Sequence, residues 1–525
     1  MSNRRSASAL RFGAPAAAYA AFAVLVAALL AGCADASTRS AARPAPSAPI
    51  AGNPPLSRED LLWLGRVDFG VDSASLGAYR QLGRRGYLEA QLEARDDALP
   101  PQIAGRIDAM PISRTDVLSL LAGERAERRT LLLAAPDDAQ QRQQARRTLV
   151  QQGVALASDA ARRELLRAVY SQAQLREQMV WFWMNHFSVS QNKAELRWLA
   201  GDYEERAIRP YALGHFRDLV LATLEHPAML EYLDNDHNVA GHLNENYARE
   251  LLELHTLGVG GGYTQQDVQA LAHVLTGVGV SIRPPPALPP AWRDLYVRRG
   301  AFEFNPARHD AAPQVLLGRR LEGRSFAEVQ QAVALIVRQP ACARFISRQL
   351  ATYFVADTPP PRLVDAMART FERTDGDIAA VLRTLFLSPD FTAALGGKLK
   401  DPVRYVVSAA RLAYDGEPAP IALPMLLWLN ALGEAPFAHP TPDGYGLVDS
   451  SWSSPGQMTR RFEIARAMAS GAPRLGLAAP ALDGPLFQSA VAARLAPRTR
   501  AVLDAAVSLR ERNTFLLASP ELNYE

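Results

Sequence analysis

From Arg58 onward, apolar residues return at three- and four-residue spacing, the period of a helix that buries one face. Ser57-Arg58-Glu59-Asp60 has the form of a capping box and predicts a helix through Leu61, Leu62 and Leu64. Residues 137–185 read as long helical segments rich in Ala, Arg, Gln and Leu. Thr264 and Asp267 cap a further helix that runs to Thr276 and stops at Gly277, and Thr374-Asp375-Gly376-Asp377 opens another at Ile378. Strand signals are few. Leu295–Val297 and Ala301–Phe304 are predicted to pair as a hairpin, and loops are expected at 284–290 and 434–456. No period repeats. The pattern predicts a mainly α fold: one large multi-helix domain over 58–520, with at most a short β-hairpin near 295–304.

The first residues follow another pattern. Arg4, Arg5 and Arg11 precede an almost unbroken apolar stretch from Ala16 to Ala31, closed by Leu30-Ala31-Gly32-Cys33. A basic start, a short apolar core and small residues before a cut describe an export signal over 1–32. The strongly apolar part is shorter than the roughly 20 residues of a membrane span. Leu-Ala-Gly-Cys resembles the bacterial lipobox, which implies that Cys33 becomes a lipidated N-terminus, since several acyl chains anchor stably where one does not. Ala34 follows Cys33 where an Asp would favour inner-membrane retention, so the pattern leans to the outer membrane facing the periplasm. Residues 33–57 carry Cys33 and an Ala-, Ser- and Pro-rich stretch expected to act as a tether.

Composition narrows the function classes. The chain has 525 residues, 48% hydrophobic and 21% charged, an ordinary globular balance. Its net charge of +3 rests on the three leader arginines, so the mature chain is near neutral and carries no electrostatic footprint for nucleic acid. Of its two cysteines, Cys33 is reserved for lipid and Cys342 reads as a small buried residue.

Seven of nine histidines fall between 186 and 273, the raw material of metal sites and proton transfer. In Trp181-Phe-Trp-Met-Asn185-His186-Phe187 a polar pair enters an apolar segment. His186 is either a core imidazole satisfied by one backbone hydrogen bond or a ligand or base in a pocket. In Asn244-Glu245-Asn246-Tyr-Ala-Arg249-Glu250-Leu-Leu-Glu253-Leu-His255-Thr-Leu-Gly258, helical spacing puts Asn246, Arg249, Glu250 and Glu253 on one stripe. Tyr247, Leu251, Leu252, Leu254 and His255 fall opposite. The stripe is either a solvated face or a charge network in which Arg249 pairs with Glu250 and Glu253 around a site. Asp234, Asp236, Asn238 and Glu245 occupy calcium-loop positions, but Val239 stands where the sharp turn needs Gly. His309-Asp310 is a further acid and imidazole, although neighbours in sequence point apart on most backbones. The chain has no nucleophile elbow, phosphate loop, H-E-x-x-H or C-x-x-C.

These segments resemble the bacterial family known as domain of unknown function 1800. The resemblance is carried by Leu64–Gly70, Phe182–Phe187, Asn244–Gly258, Gly261–Val268, Leu275–Gly277, His309-Asp310 and Leu317-Gly318, and covers roughly 58–520. Val278 stands where the family often has Trp, Gln314 where a basic residue is common, and His273 where Arg is usual. The resemblance implies an exported, mainly helical protein that works with an exported sulfatase-like partner. Two functions follow as expectations. The favoured one is a lipid-anchored envelope protein with a binding or assembly role. The other is a metal-assisted hydrolase drawing on His186, Glu250, Glu253, His255, His309 and Asp310. In it His186, Glu250, His255, His309 and Asp310 are the candidate ligands of a divalent metal, and a spare Glu activates water. That reading requires three of them to converge within about 2.0–2.2 Å of one point.

Overall fold

The structure, a computed structural model, describes residues 56–133, 139–193 and 195–525. The export segment, Cys33 and most of the tether lie outside the described residues. The helix Arg58–Val67 begins as its capping box predicts: Ser57 Oγ accepts from the Asp60 backbone N–H at 3.0 Å and donates to the Asp60 carboxylate at 2.7 Å. Thr264 and Asp267 cap Gln265–Val274 reciprocally, and Asp377 caps Ile378–Phe386. Gly277 then turns the chain at φ +79°.

Helix Gln174–His186 is buried nearly all round, its polar residues included, and runs through the core. Its polar groups are spent on neighbouring backbone. Gln174 accepts from Phe69 N–H at 3.1 Å, Gln178 donates to the carbonyls of Arg66 and Val67, and Trp183 Nε1 donates to Ala212 at 2.9 Å. These bonds seat the Leu64–Gly70 segment on this helix. Glu177, buried in the same helix, is neutralised by Arg209 at 2.8 Å, which also grips Glu204 at 2.6 Å.

The predicted hairpin forms as β2 (Val297–Arg299) and β3 (Phe302–Phe304), but it is not alone. β1 (Val278–Val280) adds to the other edge of β3, giving an antiparallel order β1-β3-β2 with Val278 opposite Phe304. A second hairpin joins β4 (Gln314–Leu316) to β5 (Arg319–Leu321) through Leu317 and Gly318, both at positive φ, as a two-residue hairpin turn requires. The expectation of one hairpin at most is therefore corrected. Three-residue strands leave too little alternation to read.

The Asn244–Gly258 segment departs from a single α-helix. Asn246–Glu250 is α-helical, and Leu251–Thr256 widens into a π-helical turn, with Leu257 N–H bonded five residues back to Leu252 O at 2.9 Å. The wider turn sends Leu251, Leu252, His255 and Thr256 inward together, while Leu254 is only half-buried. Such insertions recur at functional sites. Among the described residues no helix is long and apolar enough to cross a membrane.

Candidate functional site: a cleft closed by an amide clamp

Helix Gln174–His186 ends with Asn185 and His186 at the floor of a cleft of about 470 Å³. Asn185 is fixed by a two-way clamp with a residue far along the chain. Its Nδ2 donates to the Tyr445 carbonyl at 2.9 Å, and its Oδ1 accepts the Tyr445 N–H at 2.6 Å. A side-chain amide thus replaces a strand partner for one residue. The approach is so close that a Cβ on Gly444, which sits at φ +70°, would lie 2.2 Å from the Asn185 carbonyl oxygen. The rest of the loop is pinned as well. Tyr232 donates to the Pro440 carbonyl at 3.0 Å, Trp452 Nε1 to Gly446 at 2.9 Å, and buried Lys398 to Leu447 at 3.0 Å. The wall of the cleft is therefore pre-organised.

His186 is 8% exposed and lines this cleft. Its Nε2 lies 2.9 Å from the His255 carbonyl, so Nε2 carries the proton and Nδ1 is left as a lone-pair acceptor. Burial pushes its pKa down to about 4, so the ring is neutral at pH 7. Beneath it, in the π-helical turn, His255 is fully buried and neither ring nitrogen has a hydrogen-bond partner among the described residues. Burial, and then the neighbouring His186, hold His255 well below the ordinary imidazole value. An unpaired buried N–H costs about 1–3 kcal/mol. The His255 ring lies 5.1 Å from Phe187 and 6.1 Å from His186, centroid to centroid.

The facing wall comes from Gln349 and Thr352 on helix Pro340–Phe354, and the rim from His439, Asp443 and Leu447 on the loop. His439 donates from Nδ1 to the Thr441 carbonyl at 3.0 Å. Asp443 is largely open to water. Glu250 stands in its field: burial, then Glu253, raise the Glu250 carboxyl above its usual range, with Asp443 adding to the effect.

His309 and Asp310 build a second, separate arrangement. His309 bridges the Thr276 carbonyl (Nδ1, 2.8 Å) and buried Glu328 (Nε2, 3.0 Å). Asp310 takes His273 Nδ1 at 2.7 Å, and its N–H donates to Thr276 Oγ1 at 2.8 Å. Gly277 lets this corner close, because a Cβ there would meet Asn305 O at 2.7 Å. His273 thus pairs with Asp310 where the resembling family usually has Arg.

These geometries bear on the metal expectation. Among the described residues no three His, Cys, Asp or Glu side chains are placed to hold a metal ion. Of the five candidate ligands, His309 has both nitrogens engaged, Asp310 is spent on His273 and the Ala312 N–H, and His255 is enclosed. Only His186 and Glu250 keep free capacity. The expected Arg249 network differs too: Arg249 pairs with Glu245 at 2.9 Å and Gln265 at 3.0 Å, not with Glu250 or Glu253. The calcium-like loop is tied internally. Asn238 donates to Ala272 O at 2.8 Å and accepts from Asn244 N–H, Asn244 donates to Asp234 O, and Asn246 donates to Leu233 O. Asn244 and Asn246 are therefore loop fasteners. The sequence reading missed His439, Asp443 and Tyr445. Their only signal was a Gly-containing loop at 434–456.

Residues 62–524 match the family described as a protein of unknown function, DUF1800. No curated protein and no solved structure matches the chain.

Proposed function

The chain belongs to the DUF1800 family, and we propose that it is an exported, lipid-anchored envelope protein that binds a polar group of an exported partner in the Asn185–His186 cleft. The observation that carries this reading is the clamp. A rigid loop, fixed by Asn185 and crossing Gly444, holds open a cleft of about 470 Å³. That volume is within the range of ligand sites, and His186, which lines it, keeps an unused lone pair on Nδ1. Pre-organisation of this kind favours binding, because the ordering is done before the ligand arrives. The metal-hydrolase alternative finds no support in the donor arrangement, which splits its candidate residues between two corners. The leader, the Leu-Ala-Gly-Cys motif and the Ala/Ser/Pro-rich segment support export and anchoring at Cys33, with the periplasmic face of the outer membrane as location, and the sulfatase-like partner is carried over from the family resemblance.

Two measurements test it. Labelled palmitate is expected to enter the full chain in cells and to be lost in Cys33→Ser. A photo-crosslinking amino acid at Val448, on the cleft lining, is expected to trap an exported protein, whereas the same group at exposed Val507 is not. Equal adducts from both positions, or none from Val448, refute the binding reading.

A further inference from the structure

The cleft is lined by twelve residues, among them no Lys or Arg. Gln349 and Thr352 on its lining can donate or accept, while the groups gathered at the loop side, His186, His439 and Asp443, offer acceptors. His186 presents a bare Nδ1, because Nε2 is held by the His255 carbonyl. His439 has spent its Nδ1 on Thr441, which leaves Nε2. Asp443 brings a carboxylate, with Oδ1 also accepting from Thr441 Oγ1 at 2.5 Å. Burial, and then Glu253, make ionisation of Glu250 harder than usual, with Arg249 opposing and Asp443 adding to the effect. The nearest cations are already committed. Arg249 is held by Glu245 and Gln265; Lys193, beside Tyr232, by Asp234 at 2.6 Å; and Lys398, which donates to the Leu447 carbonyl, by Asp357 at 2.8 Å. Apolar surface is available from Phe182, Tyr445 and Leu447, two of them aromatic rings of the kind that attract cations.

A ligand that suits this lining donates several hydrogen bonds, carries positive charge and has a short apolar stem. An anion meets the open Asp443 carboxylate, and the lining itself carries no Lys or Arg to offset it. We propose that the cleft of His186, His439 and Asp443 captures a protonated primary amine carried on a partner. The ammonium would sit against the Asp443 carboxylate and the imidazole lone pairs, its stem along Phe182 and Tyr445. This rests on the binding reading above and names the class of group bound.

The test uses the full chain in detergent with three probes of equal length: 1,5-diaminopentane, 1,5-pentanediol and glutarate. Titration calorimetry reads affinity, and hydrogen exchange of the amides of Gly444–Val448 reads location. The diamine is expected to shield these amides and to bind at least tenfold more tightly than the diol, while glutarate does not bind. Asp443→Asn, an exposed position that keeps the Thr441 contact, is expected to weaken the diamine at least tenfold with no change in fold. Glu253→Gln is expected to weaken it less. If the diol shields the cleft as well as the diamine, or Asp443→Asn leaves diamine affinity intact, the amine assignment is overturned and the cleft reading stands. If no probe shields it, the amine assignment is overturned, and the Val448 crosslink decides the cleft reading independently.

Discussion

Asn185→Ala is the most direct perturbation of the clamp. It removes one donor and one acceptor at once and leaves both the N–H and the C=O of Tyr445 without partners. A typical hydrogen bond contributes about 1 kcal/mol net, and orphaning a part-buried group costs about 1–3 kcal/mol. The pair is therefore worth roughly 2–3 kcal/mol of local stability, less than the simple sum because the freed loop can reach water. The loss stays local, since Tyr445 keeps its hydroxyl bond to Ala435 at 2.9 Å and Trp452 and Lys398 still hold the segment beyond. With about 1.4 kcal/mol per factor of ten, exchange of the Tyr445 amide is expected to accelerate roughly 30- to 150-fold, with helix Gln174–His186 unchanged. Asn185→Asp is the discriminating control. Its carboxylate still accepts the Tyr445 N–H but cannot donate to the Tyr445 carbonyl, so amide protection is expected to survive in part while loop affinity falls. Amide exchange read by opening free energy distinguishes the variants. If Asn185→Ala exchanges at the Tyr445 amide as slowly as the wild type, the clamp does not hold the loop and the reasoning is wrong.

Three further outcomes are expected. His186 is pushed down to about 4 by burial, so it contributes stability that is present above the ordinary imidazole value of 6.5 and is lost as pH falls through 4. At about 1.36 kcal/mol per pH unit, this amounts to roughly 3 kcal/mol. His186→Gln keeps a donor to His255 and removes the titration, so its urea midpoint is expected to fall less between pH 6.5 and 4.5, and an identical slope would sink the idea. Glu231, raised to about 8 by burial and then by Glu195, has the opposite sign: its contribution is present below its ordinary value and is lost as pH rises through 8. Glu231→Gln is expected to be the more stable protein at pH 8.5, as thermal unfolding will show. Gly444→Ala and Gly416→Ala share a left-handed backbone, at φ +70° and +79°, which costs an alanine about 1–2 kcal/mol. Only Gly444 also drives a Cβ into the Asn185 carbonyl, so its midpoint is expected to drop further, and equal drops in the two variants would deny the close approach.

What could be read from sequence divides along a physical line. Helix starts at Ser57, Thr264 and Asp377 were legible because each cap is a bond between residues three apart. The β2–β3 hairpin was legible for the same reason, its strands being joined by a two-residue turn. The entry of Asn185 and His186 into an apolar segment was also visible, and so was the burial of Cys342, whose thiol burial raises. The π-helical turn was not. It depends on His255 and Thr256 finding buried space, and Leu251–Thr256 has no composition that distinguishes it from an α-helical continuation. Nor was β1, which exists only because β3 lies beside it.

The clamp is the sharpest case. Asn185 and Tyr445 are 260 residues apart, and nothing local to either marks the other. The histidine cluster drew attention to residues near in sequence, and the fold then dispersed them, His226 to Asp202 and His273 to Asp310. Of those singled out, His186 alone reaches the cleft with a free nitrogen, and its counterpart His439 comes from outside the cluster altogether. A site assembled by long-range closure is therefore found from sequence only by its fixed end, here the Asn-His pair that terminates a core helix. The glycine that admits the other end, Gly444, becomes meaningful only once Asn185 is placed against it.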